Sequence, residues 1–268
     1  MKLTEKTGLD KLLAILEVLR DEKKGCPWDK EQTLETLLPY TIEEAYEVAD
    51  AILRNDNGDL CDELGDLLFQ VVFYSQISKE NDAFEFSDVV DALIDKLIRR
   101  HPHVFSGQKI ASSAEQTVAW EAHKVEERIQ KHGKNAGGGR LDGVLKNLPA
   151  LIRSIKLQKR AATAGFDWHQ IARVMSKVDE ELNEVKEVLH ARDERLEHEL
   201  GDLLLAVTNL ARHADIDPEL ALQKANNRFV RRFAWMERMA AEQGREFEQL
   251  TLSEMELLWI QAKQDECS

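Results

Sequence analysis

Apolar residues recur along the chain at helical spacing almost from end to end. Leu9, Leu12, Leu13, Leu16 and Leu19 form one stripe, and Ile42, Ala45, Tyr46, Ala49, Ile52 and Leu53 form a second. A third runs through Leu60, Leu64, Leu67, Leu68, Val71 and Val72. No alternating strand pattern with hairpin turns accompanies them, so the expected fold class is all-α. Three consecutive glycines within Gly133-Lys-Asn-Ala-Gly-Gly-Gly139 break the pattern and read as a flexible linker. A helix is expected over about 114–130 before it, and a second helical series begins near Leu148.

The halves on either side repeat each other. Glu43-Glu-Ala-Tyr-Glu47 matches Glu180-Glu-Leu-Asn-Glu184, and Glu63-Leu-Gly-Asp-Leu-Leu68 matches Glu199-Leu-Gly-Asp-Leu-Leu204. The spacing between the two blocks differs by a single residue. Farther on, Lys96-Leu-Ile-Arg-Arg100 resembles Arg228-Phe-Val-Arg-Arg232. Three blocks in matched order describe a tandem repeat of one helical module. We divide the chain into an N-terminal module, 1–132, a Gly-rich linker, 133–147, and a C-terminal module, 148–268.

Composition narrows the chemistry. With 268 residues, 43% of them hydrophobic, the chain can bury a sizeable core, and only 5 prolines among 32% charged residues suit helices. Acidic residues outnumber basic ones by 50 to 36, giving a net charge of −14. Such a surface repels a phosphate backbone, which argues against general nucleic-acid binding. The three cysteines, Cys26, Cys61 and Cys267, have no metal-ligand spacing; reduced thiols in a cytosol fit them best. The polar N-terminus does not read as a signal peptide, no apolar run suits a bilayer span, and a cytoplasmic location is expected.

Residues three apart on a helix lie about 60° apart around its axis. Glu44 and Glu47 therefore share a face, as do Glu63 and Asp66. The turn signal at 55–58 should fold their helices antiparallel, so that four carboxylates meet across the groove. The second copy offers Glu181, Glu184, Glu199 and Asp202, with a turn around 191–194. Facing carboxylates repel, and a divalent cation removes the conflict. All-oxygen ligation suits Mg²⁺ or Mn²⁺ better than Zn²⁺, and Mg²⁺ keeps positions for phosphate and water. A single such pair is usually a solvated helix face; its duplication in order favours a metal site. Gly65 and Gly201, between the paired acids, imply close approach of a helix or a ligand. The stretch at 55–59 fails as a calcium loop because Leu53 and Leu64 would stand at its first and last ligand positions, and no phosphate-cradling glycine motif is present. His101 and His103, flanking Pro102, read as a helix-end feature.

The ordered acidic blocks, together with Gly25-Cys-Pro-Trp-Asp-Lys30, Arg99-Arg-His-Pro-His-Val-Phe105 and Gly165-Phe-Asp-Trp168, resemble the MazG family of nucleoside triphosphate pyrophosphohydrolases over nearly the whole chain. The resemblance implies an all-helical homodimer that uses Mg²⁺ to hydrolyse NTPs and dNTPs to monophosphate and pyrophosphate. It makes Glu181, Glu184, Glu199 and Asp202 the metal ligands of a catalytic C-terminal module. Arg228 and Arg232 would hold phosphates, Arg228 standing where relatives can carry Lys. Lys124, Trp259 and Lys263 would line the nucleotide site, with Lys177 and Arg195 beside the acidic blocks. Glu180 or one of the ligands would take the attacking water's proton. In the N-terminal copy, Glu44, Glu47, Glu63 and Asp66 form a second candidate site, but Asp59 stands opposite Arg195 and Asp62 opposite His198. The extra acids oppose polyanion binding, so that module is expected to be mainly structural. Two other readings compete: a helical interaction module with a structural metal, and a hydrolase for a related nucleotide of the phosphoribosyl-ATP or dUTP type.

Overall fold

A computed structural model describes residues 7–106, 139–190 and 194–266. Among them the secondary structure is helical and contains no strand. The chain forms two compact units, Met1–Asn135 and Ala136–Ser268. The expected helix at 114–130, Lys124, most of the glycine-rich stretch, most of the 191–194 turn and Cys267 lie outside the described residues.

The first unit contains α1 (Gly8–Leu19), a short α2 (Pro27–Glu31), α3 (Leu34–Arg54), α4 (Asn57–Glu80), α5 (Phe86–Arg100) and a single turn, α6 (Pro102–Phe105). Thr33 starts α3 with a reciprocal cap to Thr36, satisfying amides that a helix N-terminus leaves open. Asn55 then reverses the chain at φ 56°, and the Asp56 carboxylate accepts from the Gly58 and Asp59 amides to start α4. The 55–58 signal thus joins two long helices that pack along each other. Their core is Leu16, Leu37, Val72, Phe73 and Ile77, with Leu12, Leu13 and Leu19 of the first stripe against it. The second stripe behaves differently: Ile42, Tyr46 and Ile52 are exposed, because the groove between α3 and α4 closes on another face, at Leu37 and Ala51. His101 ends α5, its Nδ1 lying 2.7 Å from the Leu97 carbonyl, and leads into α6.

The second unit contains α7 (Ala150–Thr163), α8 (Ile171–Val188), α9 (Glu194–His213), α10 (Pro218–Glu242), a 3₁₀ turn (Phe247–Gln249) and α11 (Leu252–Asp265). Helices α8 and α9 pair as α3 and α4 do, and α7 lies on α9. The α7–α9 contact is partly polar: Ser154 Oγ is 2.7 Å from Thr208 Oγ1, and Gln158 Nε2 donates to the Leu205 carbonyl at 2.9 Å. Helices α10 and α11 pack through Met236, Ala240 and Leu258, with Leu250 after the 3₁₀ turn in the same cluster. Between α7 and α8, Gly165 takes φ +90°, a conformation that costs glycine little. It turns the chain so that Phe166, Asp167 and Trp168 lead into α8.

Candidate active site

Helical periodicity and the α8–α9 pairing place the acidic blocks on facing sides of one groove. Carboxylate oxygens of Glu181, Glu184 and Glu199 lie within 4.8 Å of one another. Glu181 is 5% exposed, and its Oε2 has no hydrogen-bond partner among the described residues. An ionised oxygen buried without a donor is costly, and a cation restores the balance. Lys177, one turn earlier on α8, supplies part of that charge: its Nζ is 2.7 Å from Glu181 and 2.8 Å from Glu180. These two carboxylates hold the Lys177 ammonium well above the usual lysine range. Partial burial and the neighbouring Glu181 and Glu199 push the Glu184 carboxyl upward. Crowded hard oxygens, one of them buried without a partner, fit a divalent cation such as Mg²⁺ or Mn²⁺.

Asp202 stands outside this trio, at the edge of an adjoining cavity of about 150 Å³. Lys177 and Glu181 line the same cavity, whose farther walls include Phe166, Trp168, Gln158 and Asn209. Phe166 and Trp168 are 6.1 Å apart between ring centroids. Asp167 between them is clamped by Arg212, which donates from both terminal nitrogens, at 3.0 Å to Oδ2 and also to Oδ1. His213 Nε2 lies 3.0 Å from Oδ1. Arg212 first, and His213 after it, hold the Asp167 carboxyl down at about 2. The motif at 165–168 was legible in the sequence, but the roles of Gln158, Asn209 and Arg212 were not.

The basic residues expected around phosphate form a separate cluster on α10 and α11. The Arg232 guanidinium is 5.5 Å from the Trp259 ring centroid, and Lys263 Nζ is 5.8 Å from it on the next helix. Arg232 also pairs with Glu266 at 2.6 Å. None of these three lines the cavity beside Glu181, and Arg228 is exposed on α10. Arg195 is exposed on the first turn of α9.

In the first unit, oxygens of Glu44, Glu63 and Asp66 come within 4.8 Å, and Glu47 is outside the trio. Burial first, and then Asp66 and Glu47, raise the Glu44 carboxyl; burial and Glu47 do the same to Glu63. The surroundings differ from those of the second copy. Aligning Glu44 with Glu181 puts Tyr40 where Lys177 stands, so no lysine approaches the acids from that position. Aligning Asp66 with Asp202 puts Phe73, 0% exposed, where Asn209 stands. Trp28 packs edge-on against both Tyr40 and Phe73, at 5.9 and 6.5 Å, and fills that region with rings. A Cβ built at Gly65 or Gly201 meets nothing within 4 Å, so the expected close helix approach is absent among the described residues: both glycines face open space.

The MazG nucleotide pyrophosphohydrolase domain model matches residues 32–105 and 170–236, spanning the acidic helix pair of each unit. The chain is 50% identical over 263 residues to a nucleoside triphosphate pyrophosphohydrolase of Escherichia coli K12, covering 96% of this chain and 98% of that one. It is 41% identical over 254 residues to the nucleoside triphosphate pyrophosphohydrolase/pyrophosphatase MazG of Thermotoga maritima, covering 95% of each. A solved mazG-related protein from Thermotoga maritima aligns at 30% identity over 44% of this chain and 99% of its own, with a TM-score of 0.38. The chain belongs to the MazG nucleotide pyrophosphohydrolase family. Both of these relatives align over nearly the full length of the chain, across both of its acidic helix pairs.

Proposed function

We propose that the chain hydrolyses nucleoside triphosphates, ribo and deoxy, to the monophosphate and pyrophosphate, at the acidic groove of its second module. The carrying observation is the oxygen trio of Glu181, Glu184 and Glu199 with the buried, unpartnered Glu181 Oε2, adjoining a cavity through Asp202. Those four residues would hold Mg²⁺, with Mn²⁺ as a substitute. Bound there, such an ion would supply charge neutralisation at the triphosphate and would lower the pKa of a water. Lys177 exchanges its contact with Glu181 for a phosphate oxygen as substrate enters. Glu180, outside the trio and already hydrogen-bonded by Lys177, accepts the proton of the attacking water. Cleavage falls at the α–β anhydride.

The first module, with a ring-filled interior and no lysine at position 40, is mainly structural in this reading. Our division at 1–132, 133–147 and 148–268 follows from the repeat. Exposed Ile42, Tyr46, Leu64 and Leu68, with Leu200 and Leu204 in the second module, favour a homodimer that covers them. Its partner face would bring Arg228, Arg232, Trp259 and Lys263 towards the triphosphate, and Lys124 stays a proposed nucleotide contact on the family resemblance alone. The role we assign is housekeeping of the nucleotide pool in the cytoplasm; no helix among the described residues is long and apolar enough to cross a membrane. Product analysis on a panel of NTPs and dNTPs, with and without Mg²⁺, tests the proposal. Monophosphate and pyrophosphate that appear only with metal are expected; diphosphate and orthophosphate as first products would overturn it.

A further inference from the structure

The cavity between α7, the 165–168 turn and α9 has a composition that the hydrolytic site does not require. Its volume, about 150 Å³, is that of one aromatic ring system: a dry cavity of roughly this size holds benzene. Phe166, 74% exposed, and Trp168 contribute aromatic rings to its lining, with Val174, Leu205 and Ala206 giving further apolar wall. Two amides are also in the lining, and each has its orientation fixed by a neighbour with one hydrogen-bonding role. The Leu205 carbonyl can only accept, so Gln158 turns Nε2 towards it at 2.9 Å. Gln158 Oε1 is left buried with no partner. The Arg212 guanidinium can only donate, so Asn209 turns Oδ1 towards Nε at 2.9 Å. That leaves the Asn209 NH₂ as the group able to donate to a ligand.

A buried, unpartnered acceptor on Gln158 and a donor on Asn209 thus stand beside the apolar part of the cavity, and leaving the acceptor unpaired costs free energy that a suitable ligand recovers. A planar heteroaromatic ring whose edge carries an N–H beside an acceptor meets both. Nucleobases have that edge, whether amino next to ring nitrogen or ring N–H next to carbonyl. We propose that this cavity is the nucleobase subsite. In it, Gln158 Oε1 accepts from the base edge, Asn209 donates to the neighbouring acceptor, and Phe166 and Trp168 cover a ring face. Lys177, Glu181 and Asp202 at the same cavity then receive the phosphates, so the assignment rests on the hydrolytic reading for the direction of the substrate. The first module supplies an internal comparison: Phe73, at the position of Asn209, occupies the space with its own ring. The edge pattern is shared by all bases, so the subsite selects a base without selecting strongly among bases.

The experiment pairs a variant with an edge-blocked substrate. In the wild-type chain, ATP and UTP should each exceed N6,N6-dimethyl-ATP and N3-methyl-UTP by tenfold or more in kcat/KM, because the blocked edges cannot donate to Gln158. In Gln158→Leu that discrimination should fall to within twofold, whereas a variant that merely disturbed packing would slow parent and blocked nucleotide alike. Asn209→Phe, copying the first module, should abolish nucleoside binding while circular dichroism and melting temperature stay near wild type. Binding of nucleosides without phosphate, followed by quenching of Trp168 fluorescence with Trp168→Phe as control, separates the two readings. Nucleoside binding without turnover would overturn the hydrolytic assignment and keep the subsite. Turnover with equal use of blocked and parent nucleotides would overturn the subsite and keep the hydrolase.

Discussion

Asp167→Asn isolates the clamp that holds the aromatic turn against α9. In the native chain this carboxylate receives two Arg212 nitrogens and lies 3.0 Å from His213 Nε2. The amide keeps the size and loses the charge. Hydrogen bonds to ionised groups contribute about 1.5–3 kcal/mol each, and partial exposure screens them, so we take about 2 kcal/mol for the whole clamp. For a unit of this size each kcal/mol moves the melting temperature by about 3–5 °C, giving a fall of about 6–10 °C at neutral pH. The pH dependence has a definite sign. The native carboxyl sits at about 2, below the ordinary value of the unfolded chain. Its stabilisation is complete above the unfolded value, near 4, and is lost as pH falls towards 2. The gap between wild type and variant should therefore be full at pH 6–7 and shrink to about half by pH 3. Melting curves by circular dichroism at several pH values provide the measurement. A gap under about 2 °C at pH 7, or one that does not narrow in acid, would refute the clamp as described.

Three further outcomes test the metal groove and its surroundings. Glu181→Ala and Asp202→Ala should each abolish turnover while the helical signal is retained; normal rates in both would remove the second module from consideration. Mg²⁺ at a hundredfold excess over its Kd should stabilise the wild-type chain by about 2.7 kcal/mol, and Glu181→Gln should lose most of that gain in a thermal shift titration. Lys177→Met should tighten Mg²⁺ several-fold in calorimetry, because a competing ammonium has gone, and should lower kcat at least tenfold because a phosphate contact has gone with it.

The acidic groove was legible in the sequence because helical periodicity fixes which residues share a face over two or three turns, and the turn at 55–58 fixes the pairing of the helices. That reasoning placed Glu181 and Glu184 opposite Glu199, and Glu44 opposite Glu63 and Asp66. It did not reveal which acid of each four stands apart, since that depends on the roll of one helix against the other. Burial was legible less evenly. Leu12, Leu13 and Leu16 face the core as their spacing implies, whereas Ile42, Tyr46 and Ile52 share a stripe that stays exposed among the described residues. Periodicity reports an apolar face and not what lies against it. The cavity was out of reach because Gln158, Asp167, Asn209 and Arg212 come from α7, the turn and α9, and nothing in linear spacing links them. One signal was present: in register with the first copy, a core phenylalanine gives way to an asparagine.

That exchange has a wider consequence. A duplicated fold in which one copy is plugged and the other hollow carries its own blank within a single molecule. The first copy shows the helix pair with aromatic rings in the matching region, so the second copy's cavity can be attributed to particular substitutions rather than to the fold. Exchanging residues between the copies at matched positions would show how few changes convert scaffold into receptor.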